Sequence, residues 1–117
     1  MVTVVSLRGR LGDPDLDPAL NPDVVYVGRR QWWGPARLLD GHRLANPYSV
    51  RRYGRTEALQ LYRARLATLP DLDELLAALH GKTLACWCTP LPCHADIIAE
   101  ALDAGPGTLA PMEGLFR

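Results

Sequence analysis

Lysine is almost missing from this chain: Lys82 stands alone among thirteen cationic residues, and the rest are arginine. Cysteine is as scarce, and all three residues, Cys86, Cys88 and Cys93, fall in one short stretch. An odd number of thiols so closely spaced is a poor disulfide framework. Nowhere do about 18 apolar residues run together, so no membrane-spanning helix is expected. The opening Met1-Val2-Thr3-Val4-Val5-Ser6-Leu7 has neither a charged n-region nor a long apolar core, so it reads as a strand and not as a signal peptide. With no export signal, the thiols are expected to stay reduced in a cytoplasmic protein.

What is present suits one domain over residues 1–117, with 48% hydrophobic residues to bury a core without staples. Residues 106–117 form a loose tail, or one that packs Leu115 and Phe116 back on the core. The formal charge is zero, but its distribution is uneven. From Arg29 to Arg65 nine arginines face only Asp40 and Glu57, whereas four aspartates crowd residues 11–23. Such a run is either a solvated face or an anion-binding one. The preference for arginine fits the second, because its planar fork matches phosphate bidentately.

Along the chain, Val2–Leu7 is a β-branched run bounded by Arg8-Gly9, and Val24–Val27 is a second strand ending at Gly28. Asp13-Pro14-Asp15-Leu16-Asp17-Pro18 marks the segment between them as a surface loop. Residues 29–54 show no period and are expected to be a long irregular segment, packed in part through Trp32 and Trp33. Thr56 caps a helix that carries Leu59, Tyr62, Leu66 and Leu69 on one face. Asp71 and Glu74 resemble a capping box that opens a helix over Leu72–His80, closed by Gly81. Lys82–Cys88 is a third, central strand. A stiff Thr89-Pro90-Leu91-Pro92 connector follows, and a last helix runs from Pro92 or Cys93 to Ala104.

The order β-β-α-α-β-α predicts an α/β fold: a small, mostly parallel sheet of about three to four strands covered by about three helices. Sites in such sheets form at the carboxyl ends of the strands. Here those ends are Leu7-Arg8, Gly28-Arg29 and Cys88-Thr89.

The third end carries the chemistry. On a strand, Cys86 and Cys88 share one face and Trp87 takes the other. Cys93 and His94 then fall at a helix start, where free N–H groups and the dipole favour a thiolate or an anion. Three readings follow. Cys86 and Cys88 are small core residues with an exposed His94; or Cys86, Cys88, Cys93 and His94 hold tetrahedral zinc; or Cys93 and His94 belong to an active or ligand-binding site. On the third reading no cofactor is needed. Cys93 is the nucleophile, with His94 or Asp96 as its proton partner.

At these residues the chain resembles an uncharacterised bacterial and phage family, domain of unknown function 4326. The matching stretches are Val4–Arg8, Val25–Arg29, Leu44–Tyr48 and Leu84–Asp96, the last carrying the Cys-Trp-Cys-X-Pro-X-X-Cys-His pattern. Leu44, Tyr48 and Ala95 stand where that family usually has Trp, Phe and Gly. The resemblance covers most of residues 2–103 and implies no activity. A looser similarity, to domain of unknown function 488, shares the Leu-Cys strand end and the Cys-His helix start, and points to a ligand pocket.

These features lead to one expectation: a phosphate-bearing ligand, a nucleotide or a nucleic-acid end, bound by Arg8, Arg29 and Arg30 and by the helix start. Tyr26 and Trp32 are candidates to stack a base, and Asn46 and Cys88 complete the ligand-binding set. Thiol-based catalysis is an optional extension. A zinc-stabilised, non-catalytic binding module is the alternative, and an adaptor whose arginines meet an acidic partner is a third reading.

Overall fold

The computed structural model describes residues 2–35, 37–88, 91–105 and 109. Three strands, β1 (Val4–Ser6), β2 (Val24–Tyr26) and β5 (Thr83–Cys86), form an all-parallel sheet in the order β1-β5-β2. Val4 pairs with Leu84 on one side of β5 and Val25 pairs with Leu84 on the other. The central place of β5 explains its unbroken apolar Leu84-Ala85-Cys86, since both faces of a central parallel strand are covered.

The period-2 alternation sorts the sheet's side chains. Leu84 and Cys86, with Val4 and Val25, enter the larger core cluster. Ala85, Tyr26, Val24 and Leu7 enter a second cluster with Trp33 and Leu39. Over the first face lie α2 (Arg55–Ala67), α3 (Leu72–Leu79) and α4 (His94–Ala104), which supply Tyr62, Leu66, Leu76, Leu79 and Ile98 to the larger core. α4 touches β5 and β1, and both α2 and α3 pack on α4.

The other face is met by a short antiparallel hairpin, β3 (Gln31–Trp32) with β4 (Leu38–Leu39). This hairpin, together with α1 (Val50–Tyr53), occupies the segment expected to be irregular. Each strand holds two residues and α1 holds four, too short for a periodic signal. The expected order therefore becomes β1–β4, α1–α3, β5, α4.

Several boundaries also move. Gly54, with φ of +79°, precedes the helix that Thr56 was expected to cap, and the helix starts at Arg55. Asp71 stands at the start of α3, but no side-chain cap forms there. Its carboxylate meets Arg43 instead, at 3.2 Å. β5 stops at Cys86, two residues short of the expected end. Most of the tail, with Leu115 and Phe116, lies outside the described residues, as do Thr89 and Pro90 of the connector; Leu109 is buried in the larger core. No described helix is long and apolar enough to cross a membrane.

Candidate functional site

Because the three strands are parallel, their carboxyl ends share one edge of the sheet. Backbone bonds extend the ladder past that edge: Leu7 N–H donates to Cys86 O at 2.9 Å and Val27 N–H to Ala85 O at 3.1 Å. Beyond it, Trp87 keeps the alternation of β5 and turns to the hairpin side. There its ring stands edge-on to Tyr26 and Trp33, with centroids 6.3 and 5.7 Å apart. Trp87 Nε1 donates to the Tyr26 hydroxyl at 3.0 Å, which in turn donates to Arg29 O at 2.6 Å. This chain of bonds fixes the turn after β2. Gly28 is required in it, because a Cβ there would run into the Tyr26 ring and hydroxyl.

A cavity of about 280 Å³ opens at this edge. The end of β2 lines it with Tyr26, Gly28 and Arg29, and the end of β5 with Cys86, Trp87 and Cys88. Cys93 and His94 close it from the start of α4. Asn46, Arg55 and Leu59 complete the wall from the segment before α2 and from α2 itself. Among the described residues two arginines thus line the cavity, and no aspartate or glutamate does. Arg29 is oriented by Nε donating to Asn46 O at 2.7 Å, and Arg55 by Nη1 donating to Pro92 O at 2.6 Å. Asn46 is buried, and its Oδ1 accepts from Tyr48 N–H at 2.9 Å.

Cys93 is the N-cap of α4, and Asp96 reaches back to accept its backbone N–H at 2.9 Å. The surroundings of Cys93 oppose the expected thiolate. Cys93 is buried and its Sγ lies 3.3 Å from Cys86 Sγ. That hydrogen bond and the apolar surroundings push the Cys93 thiol well above its ordinary range. The Ala95 N–H pulls the other way and is outweighed. A helix start lowers a thiol's pKa and apolar burial raises it; here a second thiol and the core outweigh the helix start.

His94 is buried, contrary to the reading that exposed it, and its ring stands edge-on to Tyr62. Nε2 lies 2.6 Å from Val27 O; a carbonyl only accepts, so Nε2 carries the proton. Burial lowers the His94 pKa and keeps the ring neutral. His42 is lowered too, by burial and then by the nearby His94, and its Nδ1 accepts Leu44 N–H at 3.0 Å.

Six residues read from the sequence as binding or catalytic meet in the cavity: Tyr26, Arg29, Asn46, Cys88, Cys93 and His94. Arg8, Arg30, Trp32 and Asp96 do not line it. Arg8 donates through Nε to Trp87 O at 2.9 Å, Asp96 serves the helix cap, and Trp32 is exposed on β3. Sequence reasoning missed Arg55, which nothing local distinguishes from its eight fellow arginines, and Gly28 as a packing requirement. Of the four residues considered for zinc, Cys86 and Cys93 lie with their sulfurs 3.3 Å apart, and His94 Nε2 lies 2.6 Å from Val27 O. Among the described residues no three His, Cys, Asp or Glu side chains converge as a metal site needs.

The family model described as "Domain of unknown function (DUF4326)" matches residues 16–104. Val4–Arg8 lies outside that interval, and the other three stretches quoted above lie inside it. The chain is 27% identical over 84 residues to the uncharacterized protein R718 of Acanthamoeba polyphaga mimivirus. The alignment takes in 65% of this chain and 64% of the viral protein, so the chain spans less than two thirds of that relative's length. No solved structure matches.

Proposed function

The chain belongs to the DUF4326 family, and from its site we propose that it binds a small phosphate-bearing ligand, a nucleotide or the terminal nucleotide of a nucleic acid. The observation that carries this reading is the cavity at the shared carboxyl edge, where Arg29 and Arg55 line the wall with no carboxylate among the described residues. Guanidinium groups held by backbone carbonyls on one side keep further N–H donors for an anion. The apolar part of the wall, with Leu59, Trp87 and the two buried thiols, suits the uncharged part of such a ligand. The cavity volume lies near the lower limit for ligand pockets, which favours a single nucleotide over a longer segment.

Binding, and not catalysis, is the function proposed. The Cys93 thiol is bonded to Cys86 and its pKa is raised, while His94 Nε2 meets Val27 O and Asp96 accepts the Cys93 N–H. A bacterial or phage setting and a cytoplasmic location belong to the same proposal.

Calorimetric titration with inorganic phosphate and with nucleoside monophosphates tests it. Arg29→Ala should weaken binding by about tenfold or more, the scale of one charge-assisted bond. Arg63→Ala should change it little, because Arg63 is engaged by Glu100 through two 2.6 Å bonds away from the cavity. Absence of saturable binding by the native protein, or equal losses in the two variants, would discard the pocket in favour of a diffuse charged surface.

A further inference from the structure

Cys86 and Cys93 play no part in anion binding, yet their thiols touch each other on the cavity wall. They belong to different elements: Cys86 ends β5 and Cys93 opens α4. Their sulfurs are 3.3 Å apart, and a disulfide needs a further approach of only about 1.3 Å, to about 2.04 Å. Both thiols line the cavity, so a small oxidant has a route to sulfurs that are otherwise buried. Cys88 also lines the cavity, but it is only half-buried and lies beyond the strand end.

We propose that Cys86 and Cys93 are a redox-active dithiol, converted reversibly to an intramolecular disulfide by a hydroperoxide that enters through the cavity. One sulfur, as thiolate, attacks a peroxide oxygen. The S–O bond forms, the O–O bond breaks, and the departing hydroxide takes a proton to become water (or, from an organic hydroperoxide, the alkoxide leaves as alcohol). The second thiol then loses its proton and attacks the sulfenic sulfur. The S–S bond forms, the S–O bond breaks, and the hydroxide leaves as water. Two thiols are oxidised and one peroxide is reduced. A dithiol reductant reverses the change by exchange. Because the bond to Cys86 and burial raise the Cys93 pKa, attack through Cys93 is slow at neutral pH and quickens as pH rises.

Thiol pairing does not depend on what the cavity binds, so its test is separate. The full chain, reduced and folded, is treated with hydrogen peroxide, its remaining thiols are alkylated in denaturant, and its peptides are mapped by mass spectrometry. The expected product is monomeric, two hydrogens lighter, alkylated only at Cys88, and restored by dithiothreitol. Cys88→Ser should form the same link, which keeps the test decisive even where Cys93→Ser fails to fold. Three alkylated cysteines after oxidation, a link through Cys88, or a disulfide between chains would each overturn the proposal.

Discussion

At Cys93 two influences compete, and burial prevails. The dipole and free N–H groups of a helix start favour a thiolate, but they act on a sulfur that touches Cys86 and the apolar core. The order of thiol reactivity should follow exposure. A mild alkylating reagent at neutral pH is expected to modify Cys88 first, with Cys86 and Cys93 reacting on unfolding; peptide mapping over time reads this, and early modification of Cys93 would refute its placement. Tyr62 illustrates the same balance for a hydroxyl. It is buried, donates to Leu44 O at 2.7 Å, and has its pKa pushed up by burial. Tyr62→Phe should therefore cost about 1 kcal/mol in urea unfolding, the net worth of one hydrogen bond whose acceptor stays behind. No difference would mean that the carbonyl finds another donor.

The hairpin β3–β4 is the element with the least of its own to hold it. Two pairs of residues do not make a stable ribbon, so its anchorage is tertiary. Trp33 and Leu39 pack into the second core, and Arg37 stacks on Trp33 at 4.9 Å while pairing with the buried Asp17. Asp17 also accepts the N–H groups of Gly12 and Ala19. The Arg37 bond, ahead of these, holds the Asp17 pKa down from 3.8 to about 2. A depressed carboxylate stabilises the fold above its unfolded pKa, and the contribution is lost as pH falls through the folded one. Acid titration of stability should thus show a loss on the order of 2 kcal/mol between about pH 4 and 2. In Arg37→Ala that step should shrink; an unchanged step would assign it to other carboxylates. At the end of β2, Gly28→Ala should displace Tyr26 and break its bond to Arg29 O, at a cost of about 1–3 kcal/mol in thermal or urea unfolding.

Across the whole molecule, two neutral histidines set the response to mild acid. His42 and His94 both have pKa values lowered by burial, so the unfolded chain binds protons more readily near its ordinary pKa of 6.5. Stability from this source is complete above that value and declines as pH falls below it. Urea midpoints measured between about pH 7.5 and 5 should fall steadily, and less so in His42→Gln; a flat profile would contradict the burial of both rings. The same pair shows what a sequence discloses. The strand–Cys-Trp-Cys–turn–Cys-His–helix order placed the site at the sheet edge, because alternation and helix-start signals are local. The partners of His94 and Cys93, Val27 O and Cys86 Sγ, depend on how α4 lies across the sheet. The same is true of Arg55, whose neighbour Pro92 is far along the chain. Composition gave the arginine excess without telling which two would meet. The central position of β5 has a further consequence, for the order of assembly. β1 and β2 share no ladder with each other, and both wait for a strand that leaves the ribosome much later. Until Thr83–Cys86 emerges, β1 and β2 of a nascent chain stay unpaired and there is no parallel sheet. Folding should accordingly be concerted and comparatively slow, begun by the last pairing partner rather than by the first.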